Sequence, residues 1–328
     1  MPVILAAVSF LAVGIGFLLY YLIRGGIISG KTSAAAGHLS NNNNLQAIKA
    51  GKAAVEKDPK NAEAHYLLGK AFLADKRDEQ AFREFKSVSR LGIEGKNIPE
   101  TDFRQTIAKL YQKFNEPEEA LKEYLLLIKI QPENAEYHYM AGSIFANRNR
   151  GDLAEGCFNK ALSLNPKELK YYVELGVLLY SGKKMKDADV TLGTALKLDP
   201  NSTRANFYMG KIRKDTKNYA ASLPFFEKAS RDQEFKVRAL VETGSCYMSL
   251  KMVDKAITEL ERAVTVSQNE AETDSLYARY FLAMCYEKKK EYPKAVEQWE
   301  KIYAQKKNFR DVGEKLIKYQ EYRQSGQT

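Results

Sequence analysis

The stretch AEYHYMAGSIFANRNRGDLAEGCFNKALSLNP, residues 135–166, decides the fold. Taking Gly142 as anchor, Ala154 follows twelve positions later, Phe158 sixteen later, Ala161 nineteen later and Pro166 twenty-four later. Small and apolar residues at steps of three and four make one stripe of a helix. The stripe breaks at Asn147-Arg148-Asn149-Arg150-Gly151-Asp152 and then restarts, so the segment reads as two amphipathic helices joined by a short turn. The small anchor allows the two helices to approach closely, and the large residue sixteen positions on fills the space beside it.

The same spacing recurs along the chain. The anchors are Gly69, Ala108, Gly142, Gly176, Gly210, Gly244 and Ala283, separated by 39, 34, 34, 34, 34 and 39 residues. Twelve after each stands Ala81, Ala120, Ala154, Ala188, Ser222, Ala256 or Ala295. Sixteen after stands Phe85, Tyr124, Phe158, Leu192, Phe226, Leu260 or Trp299. Nineteen after stands Val88, Leu127, Ala161, Ala195, Ala229, Ala263 or Ile302. A fixed period of this length is the mark of a stacked repeat array, in which each unit buries its apolar face on its neighbours.

These residues resemble the tetratricopeptide repeat, a helix–turn–helix unit. The likeness covers about 62–307, with residues 45–59 matching only a second helix and about 309–323 suiting a capping helix. Five-residue insertions fall after Ser89 and around Glu270. Thr243, Arg213 and Pro224 depart from the family pattern. The expected fold is all-α: a right-handed superhelical solenoid of about seven repeats, with an N-terminal half repeat, a C-terminal cap and one transmembrane helix ahead of it.

That transmembrane helix is read from residues 1–23. Val3 to Ile23 is 21 residues without a charge, enough at about 1.5 Å per residue to span a bilayer core of roughly 30 Å. Tyr20 and Tyr21 suit the headgroup level, and Arg24 follows. A cleaved leader fits poorly, because no basic region precedes the apolar run. Residues 24–44 read as a flexible linker, broken by Gly25, Gly26, Gly30, Gly37 and the run Asn41 to Asn44. Arg24 and Lys31 after the span place the body in the cytoplasm, with the periplasm as the alternative.

Composition narrows the function. The chain has 328 residues and a net charge of +10, with both signs interspersed and no dense basic arm, so nucleic acid is not an expected partner. The densest run, Lys288-Lys289-Lys290, is flanked at once by Glu287 and Glu291. Three cysteines, Cys157, Cys246 and Cys285, and three histidines, His38, His65 and His138, support neither a disulfide scaffold nor a metal site. Gly25 to Thr32 spells the phosphate-loop pattern GxxxxGK[ST]. It lacks the strand before it and the α/β pattern after it, so a nucleotide-dependent regulator is only an alternative. No catalytic residue, metal or cofactor is expected.

The resemblance implies a concave groove, lined by first helices, that holds a partner protein or peptide. Family groove positions lie six and three before the anchor, and one and four after it. Six before are Glu63, Asp102, Glu136, Lys170, Arg204, Arg238 and Tyr277; three before are Tyr66, Gln105, Tyr139, Val173, Phe207, Val241 and Tyr280. Three acidic residues followed by three basic ones predict a groove polarised along its length. The pattern that clamps acidic chaperone termini is missing, since the relevant places read Tyr66/Lys70, Gln105/Lys109 and Tyr139/Ser143. The layout is similar to bacterial inner-membrane assembly factors, so the expected function is a membrane-anchored interaction scaffold without enzymatic activity. A periplasm-facing envelope or flagellar-motor collar component, and self-association of the repeats, are the other readings.

Overall fold

The computed structural model describes residues 32–94 and 96–324, and among them every regular element is a helix. The anchor expected over 1–23 lies outside the described residues. Among those described, no helix is long and apolar enough to cross a membrane.

The chain divides into two compact units between Ile144 and Phe145, near the end of the seventh helix. In order, the helices up to that boundary are α1 (32–40), α2 (Asn44–Lys57), α3 (Ala62–Ala74), α4 (Asp78–Leu91), α5 (Glu100–Lys113), α6 (Pro117–Ile130) and α7 (Ala135–Asn147). The second unit holds α8 (Gly151–Leu164), α9 (Leu169–Ser181), α10 (Met185–Leu198), α11 (Thr203–Asp215) and α12 (Tyr219–Ala229). It continues with α13 (Lys236–Ser249), α14 (Val253–Val266), α15 (Thr273–Lys288), α16 (Tyr292–Gln305) and α17 (Val312–Gln324). In this unit each helix packs on the next in sequence, and α9, α11, α13 and α15 also touch in turn.

The repeat positions form the core. The anchors and the residues twelve, sixteen and nineteen after them are buried in all seven units, from Ala81, Phe85 and Val88 to Ala295, Trp299 and Ile302. The anchor contact explains the glycines. A Cβ added at Gly176 would lie 2.5 Å from Leu192 Cγ, one at Gly210 2.7 Å from the Phe226 ring, and one at Gly244 2.5 Å from Leu260 Cγ. Each clash falls on the residue sixteen positions later, which is itself fully buried.

The turns between paired helices are equally regular. The residue seven after each anchor has a positive φ: Lys76, Asn115, Asn149, Lys183, Lys217, Lys251 and Lys290, at 57–63°. Each helix closes with a backbone bond from the next amide to a carbonyl five residues back, as in Arg77 N to Phe72 O at 2.8 Å and Lys184 N to Leu179 O at 2.9 Å. This is the Schellman closure, in which a left-handed residue satisfies the last carbonyls. Glycine suits that conformation best. A side chain there costs about 1–2 kcal/mol, part of which a cation recovers from the helix dipole.

The N-terminal boundary differs from the sequence expectation. Residues 32–40 are helical where linker was expected, and the linker residues before 32 lie outside the description. Ala35 stands 34 before Gly69 and is buried, as are Ala47 and Ala54 at twelve and nineteen after it. Asn42, seven after, has the turn's positive φ of 55°, and Asn43 N bonds His38 O at 2.8 Å. So α1 and α2 form a full eighth unit rather than a half repeat. The sixteenth place is Gly51, and there Leu68 of α3 takes up the room, with its Cβ 3.1 Å from where a Gly51 Cβ would lie. Pro224 stays inside α12, the shortest helix of the second unit at 11 residues.

Gly176→Ala should lower stability by about 1–3 kcal/mol through overpacking against Leu192. The double variant Gly176→Ala/Leu192→Ala should show that part of the loss comes from this contact, because the clash is gone although a cavity replaces it. Denaturant midpoints of the two variants and the parent give the comparison; equal midpoints for parent and single variant would contradict the contact.

Candidate partner-binding faces

In the first unit, the sequence-predicted residues Tyr66 and Asp102 are bonded to each other. Tyr66 donates its hydroxyl to Asp102 Oδ2 at 2.6 Å, and Lys70 Nζ reaches both carboxylate oxygens at 3.1 Å. The ring of Tyr66 is buried, edge-on to Phe85 at 6.0 Å. Glu63 is half-buried and accepts from Asn97 at 3.5 Å. Gln105, Glu136 and Tyr139 are half-buried on α5 and α7.

In the second unit, Arg204 donates to Glu174 and Arg238 lies 3.0 Å from Asp274. Lys170 lies over the Tyr171 ring at 5.4 Å. Val173, Phe207 and Val241 are buried, Phe207 among Phe226, Phe235 and Tyr208. Tyr280 is buried and donates to Asp311 at 2.7 Å, while Tyr277 stacks on Phe281 and carries Arg310 over its face at 4.8 Å.

Two corrections follow for the expected groove. Five of the seven residues three before the anchor are buried, at 7–8% exposure, so they belong to the packing between units. At 3.6 residues per turn that position lies only about 60° from the anchor, whereas two and six before lie about 160° and 120° away. The charges six before the anchor, in turn, do not form free acidic and basic halves. Asp102, Arg204 and Arg238 are each paired with an opposite charge on the neighbouring first helix.

The expected positions one and four after the anchor carry the second unit's half-exposed face, together with the position two before it, which was not chosen from sequence. Tyr180 and Tyr208 lie ring to ring at 5.4 Å, and Tyr180 donates to Asp215 at 2.7 Å. Lys211 and Lys214 hold Glu242 between them at 2.8 and 2.5 Å. Burial pushes the Glu242 carboxyl up, but the fields of Lys214 and Lys211 and their hydrogen bonds outweigh it and hold the group below the usual carboxylate range. Val177, Phe281 and Met284 continue the face as half-buried apolar residues. The signal for it was present in the helical stripe, but the fixed ion pairs depend on distances between helices that no single repeat encodes. Beside this face, α8, α9 and α11 enclose a cleft of about 520 Å³ that includes Glu155, Glu174, Lys184 and Arg204.

The histidines and cysteines have structural roles. Side chains four before the anchor reach back to a proline carbonyl: His65 Nε2 to Pro59 at 3.0 Å, His138 Nε2 to Pro132 at 2.8 Å, Tyr172 to Pro166 at 3.1 Å and Asn206 to Pro200 at 3.1 Å. All three thiols are free; burial raises the pKa of each and pushes Cys285 up to about 11, which suppresses its thiolate. Among the described residues, no group of three or more His, Cys, Asp or Glu side chains could hold a metal ion.

Comparison with known proteins fits this geometry. Family models described as tetratricopeptide repeat match residues 34–90 and 106–168, and a second such model matches 237–270. Within these segments tetratricopeptide repeats are detected. The first match begins within α1, in keeping with a full repeat there, and the unmatched units share the same buried positions. Anaphase-promoting complex subunit 3 of Schizosaccharomyces pombe is 24% identical over 179 residues, 54% of this chain and 27% of that protein. The DnaJ homolog subfamily C member 7 homolog of the same yeast is 29% identical over 151 residues, 43% of this chain and 32% of that protein. The chain thus spans about a third or less of the curated relatives it matches. Among solved structures, the Cut9–Hcn1 hetero-tetramer of APC/C aligns with a TM-score of 0.55 at 17% identity, over 86% of this chain and 54% of that one. The C-terminal part of a TPR repeat-containing protein from Cytophaga hutchinsonii aligns with a TM-score of 0.50 at 16% identity, over 86% and 98%. At these identities both show a likeness of fold alone.

His65 provides a test of the local electrostatics. Its Nδ1 lies 2.6 Å from Glu84 Oε2 and its Nε2 faces the Pro59 carbonyl, so with Glu84 ionised only the imidazolium donates to both. The hydrogen bond to Glu84 raises its pKa; burial opposes this, and the Pro59 bond adds to the rise. A raised folded pKa gives stability that is complete below the unfolded value of about 6.5 and is lost as pH rises through the folded value. The parent should therefore lose more stability than His65→Gln between about pH 6 and pH 9 in denaturant titrations. Parallel pH profiles would show that His65 carries no such linkage.

Proposed function

We propose that the repeats act as a non-enzymatic interaction scaffold whose second unit binds a partner segment along α9, α11, α13 and α15. The observation that carries this reading is the half-exposed row of Tyr180, Tyr208, Phe281 and Met284, bordered by charges already held in pairs. Tyrosine, phenylalanine and methionine supply contact area at low entropic cost, and fixed charges beside them select a partner more than they add affinity. The bound segment has apolar anchors spaced to meet successive first helices, and it is helical or extended. One relative, a subunit of the anaphase-promoting complex, agrees with a role in building complexes.

A photo-crosslinking residue at Tyr208 or Phe281, in the native host, should capture one discrete partner. The same residue at Val190, 70% exposed on α10, should not. Tyr180→Ala/Tyr208→Ala should remove the product formed from position 281 while leaving the helical circular-dichroism signal intact. Crosslinks from position 190 alone, or a product that survives the double substitution, would count against this face.

The proposal extends to the site of action. Val3 to Ile23, uncharged and 21 residues long, is read as a single-span anchor in a bacterial inner membrane with the repeats in the cytoplasm. The full chain should stay with membranes through alkaline carbonate extraction, and a C-terminal tag should resist protease until the inner membrane is opened. Release by carbonate would remove the anchor, and digestion with that membrane intact would put the repeats in the periplasm.

A further inference from the structure

We propose that the helix–turn edge of the second unit docks on an anionic phospholipid surface. Lys183, Lys217, Lys251 and Lys290 occupy the same place in four consecutive repeats, seven after the anchor, each at the tip of the turn. All four are exposed, and none has a side-chain hydrogen bond or ion pair among the described residues.

The fold does not ask for lysine there. The backbone is left-handed at each tip, with φ of 60–63°, a conformation that glycine or asparagine adopts more easily. A cation one residue earlier, within the last helical turn, would meet the helix dipole without that strain. In the first unit, two of the three described tips, Asn42 and Asn115, carry asparagine instead.

The charge on this edge is also compensated only in part. Three of its acidic neighbours are paired with other lysines, Glu155 with Lys184 at 2.7 Å, Asp254 with Lys289 at 2.6 Å and Glu291 with Lys294 at 2.7 Å, while Asp215 accepts from the neutral Tyr180 and keeps its charge. Asp152 and Asp187 stand near Lys184. Lys186 and Lys288 add exposed charge to the same edge, and Met252, 44% exposed, adds an apolar side chain next to Lys251.

The character of the edge selects among anionic partners. Lysine is a strongly hydrated point charge suited to a diffuse layer of headgroups, whereas bidentate recognition of a particular phosphate or carboxylate favours arginine. Single-stranded nucleic acid stacks on exposed aromatic rings, and Tyr219 and Tyr292 beside the tips are partly buried against the core, so it stands as the competing outcome of the test. The uncharged run Val3 to Ile23 in the same chain supplies the reason for a lipid surface to be close, so the choice of partner rests on the anchoring reading.

The test uses the full chain with vesicles of phosphatidylcholine alone, or of phosphatidylcholine with about 30% phosphatidylserine, at low salt. Acetylation of individual lysines is followed by mass spectrometry. On anionic vesicles the four tip lysines should react at least about threefold more slowly than on neutral ones, and about 0.5 M salt should abolish the difference. Lys197 and Lys307, exposed near the C-terminal ends of second helices, should not change. The variant K183G/K217G/K251G/K290G relieves four positive φ values and so keeps the fold. It should lose at least about tenfold of the extra affinity for anionic vesicles, while the fourfold Lys→Arg variant keeps it. Flotation on neutral vesicles separately reads the anchor: a chain that fails there but binds anionic vesicles through the tips removes the anchor and leaves the edge. Equal acetylation on both vesicles, or protection by single-stranded RNA and not by anionic vesicles, would overturn the proposal.

Discussion

Everything in this molecule depends on a distance too short for a methyl group. At Gly69, Gly176, Gly210 and Gly244 a Cβ would fall within 3 Å of the residue sixteen positions later. That contact sets how closely each first helix lies on its second helix. Close approach buries the large residue completely, and the small residues at twelve, joined by alanine at nineteen in four of the seven repeats, allow the next helix to reach it. Where alanine replaces glycine, at Ala108 and Ala283, the facing residues are Tyr124 and Trp299, so the pair is matched in another way. The repeat is therefore defined by complementary volumes at fixed spacing, and the chemical identity of the filler is free to vary from leucine to tryptophan.

The sequence was most informative where one repeat contains the whole physical argument. Burial at the four core positions was legible because helical periodicity and side-chain volume are local properties. The turn, too, could have been read: asparagine or lysine recurs seven after every anchor, even at Asn42, where the polar run was taken for linker. The second helix of that first repeat was read from sequence, but its first helix escaped notice because Gly37 and the run Asn41 to Asn44 read as a linker. Gly51 stands where that second helix should carry a large residue, and its compensation, Leu68, lies in the next repeat.

The candidate faces were less legible for a related reason. A stripe drawn on one helix cannot distinguish a flank that faces solvent from one that faces the next first helix. Tyr66, Val173, Phe207, Val241 and Tyr280 lie on that flank and are buried by their neighbours. The run of three acidic and then three basic residues six before the anchor looked like a field directed at a ligand. Much of it instead joins successive repeats, through Asp102 to Lys70 and Tyr66, Arg204 to Glu174 and Arg238 to Asp274. Half-exposed pairs of this kind contribute modestly to stability, and their stronger effect is on register between units.

This internal pairing constrains how any ligand can be held. A charge that already has a partner gains little from a second one, because a new contact must replace an existing bond and shed its water. On the first-helix face of the second unit, Lys211, Lys214 and Glu242 form such a closed set, and Tyr180 is bonded to Asp215. Affinity on that face must come mainly from apolar area, at Tyr208, Phe281 and Met284. The unpaired lysines at the turn tips obey the opposite rule. Their charge has no internal partner to displace, and their side chains stand in water, so their attraction to an anionic layer is long-ranged, additive from repeat to repeat and weakened by salt. One repeat thus presents two faces with different physics, one selective and short-ranged, the other diffuse and electrostatic. Both are set by the same anchor glycine, which fixes where the first helix lies and where its last turn ends.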